Sequence, residues 1–189
     1  MLTYNVSIEG LTPLLQNRPS MMLADKSKER KTGNKTPDEE AKEKLYELDG
    51  KCYQPATHIH ASLVEAGKHL KVMGKGSSKA TYSKIVGYAV EVEPFEIIHE
   101  TQKWEVFSVL AVNPATKGRN LLHRPMFRKW SLSFQIIFDD TELSAEVIKQ
   151  LLDISGRIVG LGDWRPAKKG RFGKFHVTSF KEAKETKTK

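Results

Sequence analysis

The chain has 189 residues, enough for one domain with a sizeable core. Lysines and arginines number 31 against 23 acids, a formal charge of +8, so a polyanion is the partner class that the charge favours. Cys52 is the single cysteine, which excludes an internal disulfide, and no apolar run approaches the roughly 20 residues of a membrane span. The expected setting is therefore a reducing one with no membrane partner: the cytoplasm, or a host cytoplasm if the chain is viral.

Tyr4, Val6 and Ile8 alternate on one face of an opening strand, unlike a signal peptide, and Gly10 and Pro13 end it. From Gln16 the composition turns to Lys, Glu, Ser, Thr, Asn and Gly, which predicts a flexible insertion over about 16–47 with a short helix after Pro37. Asp49-Gly50 makes a turn. Thr57 is placed to cap a helix whose Ile59, Leu63, Ala66 and Leu70 recur at helical spacing, ending near Val72. Gly74 to Lys84 reads as a loop, and Ile85 to Val92 as a strand closed by Pro94.

Two further strands are expected at Glu105 to Val112 and Trp130 to Phe138, joined by a long basic connection. Asp140 or Thr141 is then placed to cap a helix with Leu143, Val147, Leu151, Ile154 and Ile158 on one stripe. Phe175 to Phe180 closes the series as a strand. The order reduces to βαββαβ, an α+β fold: a ferredoxin-like, RNA-recognition-motif-like antiparallel sheet with two helices on one face. It forms one domain over 1–181, with a disordered tail at 182–189. Such a sheet leaves its other face open as a platform for unstacked bases.

Three segments are basic and free of acids. The first holds Lys68, Lys71, Lys75, Lys79 and Lys84; the second holds Lys117, Arg119, His123, Arg124, Arg128 and Lys129; the third holds Arg165, Lys168, Lys169, Arg171 and Lys174. Converging on one groove, they would neutralise phosphates and release counterions. Trp164, Phe172, Phe127 and Trp130 lie among them and are candidates for stacking on bases, although Phe127 and Trp130 also suit a core. The run Gly160-Leu-Gly162-Asp-Trp-Arg-Pro-Ala-Lys-Lys-Gly170-Arg-Phe-Gly173 allows close backbone approach and anion-binding nests. It is not a nucleoside-triphosphate loop, because the Gly-Lys-Ser/Thr ending is missing.

An amphipathic helix, a hydrophobic-Gly-x-Gly step at Val159 to Gly162, and Gly-x-Phe-Gly at Gly170 to Gly173 before a last strand resemble the signature of the RAMP superfamily of CRISPR-associated proteins. Gly50 to Leu63 is similar to the turn-plus-helix entry of its backbone subunits, and Gly10-Leu-Thr-Pro-Leu14 adds to the likeness. The resemblance implies an RNA-recognition-like palm with an inserted thumb, copies assembling as a homo-oligomer or filament along a strand, and other ribonucleoprotein subunits as partners. It places phosphate contacts at the His58 to His60 turn and at Trp164, Arg165, Lys168 and Lys169. Ala56, Thr57 and His58 stand where the family usually has glycine and serines after the proline, here Pro55. The chain is also similar to uncharacterised phage and prophage proteins of RAMP type.

The leading expectation is a non-enzymatic binder of single-stranded RNA or DNA, with no cofactor and no metal. The alternatives are an endoribonuclease of the CRISPR-processing type, or a viral interaction protein that mimics a backbone subunit and interferes with a defence complex. For catalysis the candidates are His58, and Asp25 in the insertion; His58 and His60, about 200° apart on a helix, cannot both face one bond. Cys52 with nearby histidines matches no usual zinc spacing.

Overall fold

The computed structural model describes residues 1–19, 35–72, 80–112 and 117–183. The alternating start forms β1 (Leu2–Gly10), and a short β2 (Leu14–Leu15) follows it. At the described end of the insertion is α1 (Pro37–Glu43), where Thr36 and Glu39 form a capping box and Pro37 opens the first turn. After α1 come β3 (Glu47–Leu48) and β4 (Lys51–Pro55), joined by the Asp49-Gly50 turn, and then α2 (Ala56–Gly67). Pro55, not Thr57, occupies the cap position of α2 and gives no side-chain bond.

The stretch expected as a strand from Ile85 to Val92 is instead α3 (Ser83–Ala89) followed by β5 (Val90–Glu93). Branched residues there suit a strand, but Val86 and Ala89 are three apart and both buried, so a helix covers the core where a strand would turn half its residues outward. The bond from Tyr82 N to Leu70 O (3.1 Å) seats this turn beside the end of α2. The strand β6 (Glu96–Ile98) pairs with β4.

The basic connection hides a strand. β7 (Glu105–Val112) pairs along its whole length with β8 (Arg119–Phe127) as an antiparallel hairpin, and β2 extends it on the other side of β8. Pro125 argues against a central strand. It is tolerated because β2 pairs only with Phe127 and Met126, and the Pro125 carbonyl still accepts from Gln16 N at 3.1 Å.

The chain closes with β9 (Ser131–Phe138), α4 (Ala145–Ile154) and β10 (Phe175–Glu182). Ser144, rather than Asp140 or Thr141, caps α4. Beyond Ile154 the helix widens into a π turn, Ser155–Val159. That turn breaks the expected stripe: Ile158 is 43% exposed, and Val159 takes the buried place instead.

The central sheet has the order β10-β1-β9-β5 with every neighbour antiparallel. With α2 and α4 this is the expected βαββαβ arrangement. Val6, Ile8, Val90, Leu132, Phe134, Ile136 and Phe138 form its inner face and share one core with Ile59, Leu63, Ile148, Leu151 and Leu152. Phe127 and Trp130, weighed above as stacking residues, are 0% and 2% exposed and belong to that core.

Candidate nucleic-acid interface

The π turn ends at Gly160, and from there the chain folds into a loop fixed by its own backbone. Leu161 N donates to Gly173 O (2.9 Å), Gly170 N to Arg165 O (3.0 Å), and Phe172 N to Trp164 O (3.2 Å). Two bonds tie the loop to the segment after β1: Asp163 N to Leu15 O and Gly173 N to Pro13 O, both 2.8 Å. Gly160, Gly162 and Gly173 have φ of 74°, 73° and 70°, which the tight reversals require. The expected anion-binding nest is corrected on this point, because so many of the loop's N–H groups are already bonded within the protein. What the loop offers a ligand is side chains on a rigid support: Lys168, Lys169 and Arg171 exposed, Arg165 half-buried.

Between this loop and the start of α2 lies a cleft of about 280 Å³, lined by Gln16, Tyr46, Gln54, His58, Ser62 and Arg165 among others. Ser62 in α2 pins the loop, sharing a 2.6 Å bond with Ser155 Oγ and donating to Gly160 O at 3.2 Å. The His58 ring lies edge-on to Tyr46, with centroids 5.3 Å apart. Its Nδ1 is 2.6 Å from Gln54 Nε2 and its Nε2 is 3.5 Å from the Tyr46 hydroxyl. Burial pushes the His58 pKa below its ordinary value, and the Arg165 guanidinium pushes in the same direction. His58 is therefore neutral near pH 7, and Arg165 supplies the positive charge.

Gln16 holds this corner together. It is 1% exposed, its Nε2 donates to Tyr53 O (2.8 Å) and meets His99 Nε2 (3.2 Å), and its Oε1 accepts from Tyr46 N (2.9 Å). The sequence reading missed Gln16, Tyr46 and Gln54; the one available signal was the spacing of Gln54 and His58, four residues apart across the entry to α2. It also missed Phe107 on β7, whose ring packs edge-on against Phe172 (5.3 Å) and Trp164 (6.2 Å), making a half-buried aromatic cluster beside the loop.

The remaining candidates are scattered. Lys68 pairs with Glu65 at 2.6 Å, and the charge of Lys168 also reaches Glu65, so these two lysines lie near each other on the helix side of the molecule. Lys71 is exposed near the end of α2, and Arg119 is exposed at the far end of the hairpin. Arg128 pairs with Glu105 at 2.6 Å. Arg124 does not face solvent: it is 8% exposed and bonded to Asp163 at 3.2 Å, which locks the loop to β8. His123 is equally buried, its Nδ1 2.7 Å from Ser108 Oγ. Lys174 is half-buried, and its backbone bonds to Leu11 and Thr12. His60 lines a separate shallow hollow with Thr57, Glu93 and Phe95. Asp25, Lys75 and Lys79 lie outside the described residues, as do residues 184–189 of the tail.

The open face of the central sheet is not the base platform expected of it. Register places Thr3, Asn5, Ser7 and Glu9 beside Ser131, Ser133, Gln135 and Ile137, with Glu91 and Glu93 on one edge and His176 and Lys181 on the other. Glu100 sits over this face, accepting from Ser131 Oγ (2.6 Å) and Ser133 Oγ (3.0 Å). Four carboxylates against one lysine, with no aromatic ring other than His176, make a surface that disfavours phosphate. Among the described residues there is no group of three or more metal-ligating side chains, and no helix is long and apolar enough to cross a membrane.

No protein-family model and no curated protein sequence matches the chain. Among solved structures, it is similar to a chain from the cryo-EM structure of the type III-B Cmr-beta complex bound to cognate target RNA: TM-score 0.54, 12% identity, covering 97% of this chain and 61% of that one. The protein thus spans about three fifths of that neighbour's length. Chains from a type IV-B CRISPR complex (TM-score 0.48, 10% identity, 100% and 92% covered) and from a CRISPR protein of Archaeoglobus fulgidus (TM-score 0.38, 12% identity, 97% and 65% covered) are more distant in shape. The Cmr-beta likeness shows a shared fold, that of a chain from a CRISPR ribonucleoprotein. The expected ferredoxin-like arrangement is thus shared with that neighbour.

Proposed function

We propose that the protein binds single-stranded nucleic acid on the side formed by the glycine loop, the start of α2 and the β7–β8 hairpin, as a non-enzymatic subunit of a larger ribonucleoprotein. The observation that carries this reading is the meeting, on the glycine loop and the elements packed against it, of exposed Lys168, Lys169 and Arg171, the Arg165 cleft and the Trp164–Phe172–Phe107 rings. Cations for phosphates and rings for bases, set side by side, are what sequence-tolerant strand binding needs. The assembly containing the first structural neighbour is bound to target RNA, which supports RNA over DNA as the strand. His58 is neutral and set between Gln54 and Tyr46, which suits positioning more than proton transfer.

The test is fluorescence anisotropy with matched RNA and DNA oligonucleotides. Arg165, Lys168 and Lys169 replaced together by alanine should lower affinity about tenfold or more at low salt and flatten the salt dependence. Unchanged affinity in that variant overturns the assignment. A hairpin RNA incubated with the protein in EDTA should remain intact; its cleavage would make the chain a nuclease.

A further inference from the structure

A second cleft, of about 300 Å³, opens at the base of the hairpin, between the segment leading into β7 and the end of β8. Its residues include Trp104, Met126, Lys103, Arg128 and Lys129. Its size is at the lower end of small-ligand sites, about 300–1,000 Å³, with room for one base. Trp104 packs one side against the core and is half-exposed, and no aromatic ring among the described residues pairs with it. Met126, 5% exposed, forms the apolar floor.

The charges around this indole are unequal. Glu105 is matched by Arg128 at 2.6 Å, which removes both from the balance. Lys103 and Lys129 are exposed and form no ion pair with any described residue. Two ammonium groups without an acid partner among the described residues thus line the same cleft as one unpaired aromatic ring, the combination that a base and its neighbouring phosphates need. The site is also in line with the loop. Glu105 pairs with Met126 and Phe107 with Arg124, so the two pairs are successive on one face of the hairpin. About 7 Å of strand, two residues, separates Glu105 of the cleft from Phe107, and Trp104 stands one residue further out, before β7 begins.

We infer that the Trp104 cleft is a second station for the same nucleic-acid strand, seating one base on the indole while Lys103 and Lys129 hold the neighbouring phosphates. The inference rests on the proposed single-strand function. It extends the contact surface from the glycine loop down the hairpin to its base, on residues that lie outside the glycine-rich signature.

The test observes the indole N–H resonances of the protein, with the W104F variant assigning the Trp104 peak, during titration with a short and a long oligouridylate. The Trp104 peak should move with the long oligonucleotide. K103E/K129E, which changes only exposed side chains, should bind the long one about tenfold or more weakly. W104L should weaken it about 5- to 100-fold. If the loop variant R165A/K168A/K169A loses affinity while the Trp104 peak stays still and K103E/K129E binds as the parent does, the second station is overturned and the proposed function stands. If the unaltered protein binds neither oligonucleotide, both fall.

Discussion

Replacing Gly162 by alanine probes whether the glycine loop is a fitted part of the fold or an accessory to it. Gly162 has φ of +73°, and a Cβ built there lies 2.2 Å from Leu15 O and 2.7 Å from Leu14 Cδ1. Left-handed backbone costs an L-residue about 1–2 kcal/mol. The obstruction adds to this, because Leu14 and Leu15 are both 0% exposed and held in β2 against Phe127 and Met126. Overpacking of this kind costs about 1–3 kcal/mol, so G162A should lose about 2–5 kcal/mol in all. Gly50 supplies the control: its φ is +74° with nothing within 4 Å of the added carbon, so G50A bears the dihedral cost alone. Urea unfolding followed by tryptophan fluorescence reads both as shifts in midpoint at constant slope. If G162A is no less stable than G50A, the packing of the loop on β2 is refuted.

Asp163→Ala should cost about 2–4 kcal/mol in the same assay, because it leaves the Arg124 guanidinium buried without its acid, and replacing both partners by apolar residues should recover most of the loss. Acid sensitivity should trace to His99, which is 1% exposed, stacked on Phe127 at 4.4 Å, and without a partner for its Nδ1. Burial lowers its pKa from the ordinary 6.5 to about 4. The unfolded chain therefore takes up this proton first, so stability is lost as pH falls from about 6.5 to about 4 and is indifferent to this group above that window. The full effect is on the order of 3 kcal/mol. Denaturation midpoints at the two ends of the window should converge in H99Q relative to the parent protein.

Elements whose own residues carry the periodic signal were legible: β1 from Tyr4, Val6 and Ile8, α4 from Leu143 to Ile154, and α1 from its cap and proline. The errors arose where a distant contact decides. Ile85 and Val86 read as strand residues, and only the burial of Val86 and Ala89 beside α2 makes them helical. β8 was hidden because its arginines and Pro125 look like a loop until β7 and β2 are seen on either side. At the candidate site, the glycine loop and Arg165 could be found in the sequence because glycines and cations announce themselves. Gln16 could not be found, since a glutamine at the edge of a polar segment looks solvated until four backbone and side-chain partners converge on it. Arg124 misled for the reverse reason: its acid, Asp163, lies 39 residues further along.

The carboxylates on the open sheet face act well beyond the residues that they touch. Glu9, Glu91, Glu93 and Glu100 gather on the open sheet face against a single lysine, Lys181, while Lys168, Lys169 and Arg171 are exposed on the glycine loop, so charge is unevenly divided over a molecule that is a net cation. On the proposed function, such a division would turn an approaching polyanion before contact, over a range of about 8 Å at physiological salt. If the strand binds as proposed, the acidic sheet would make the loop side the first to arrive, raising the fraction of productive encounters without contributing one contact to the complex.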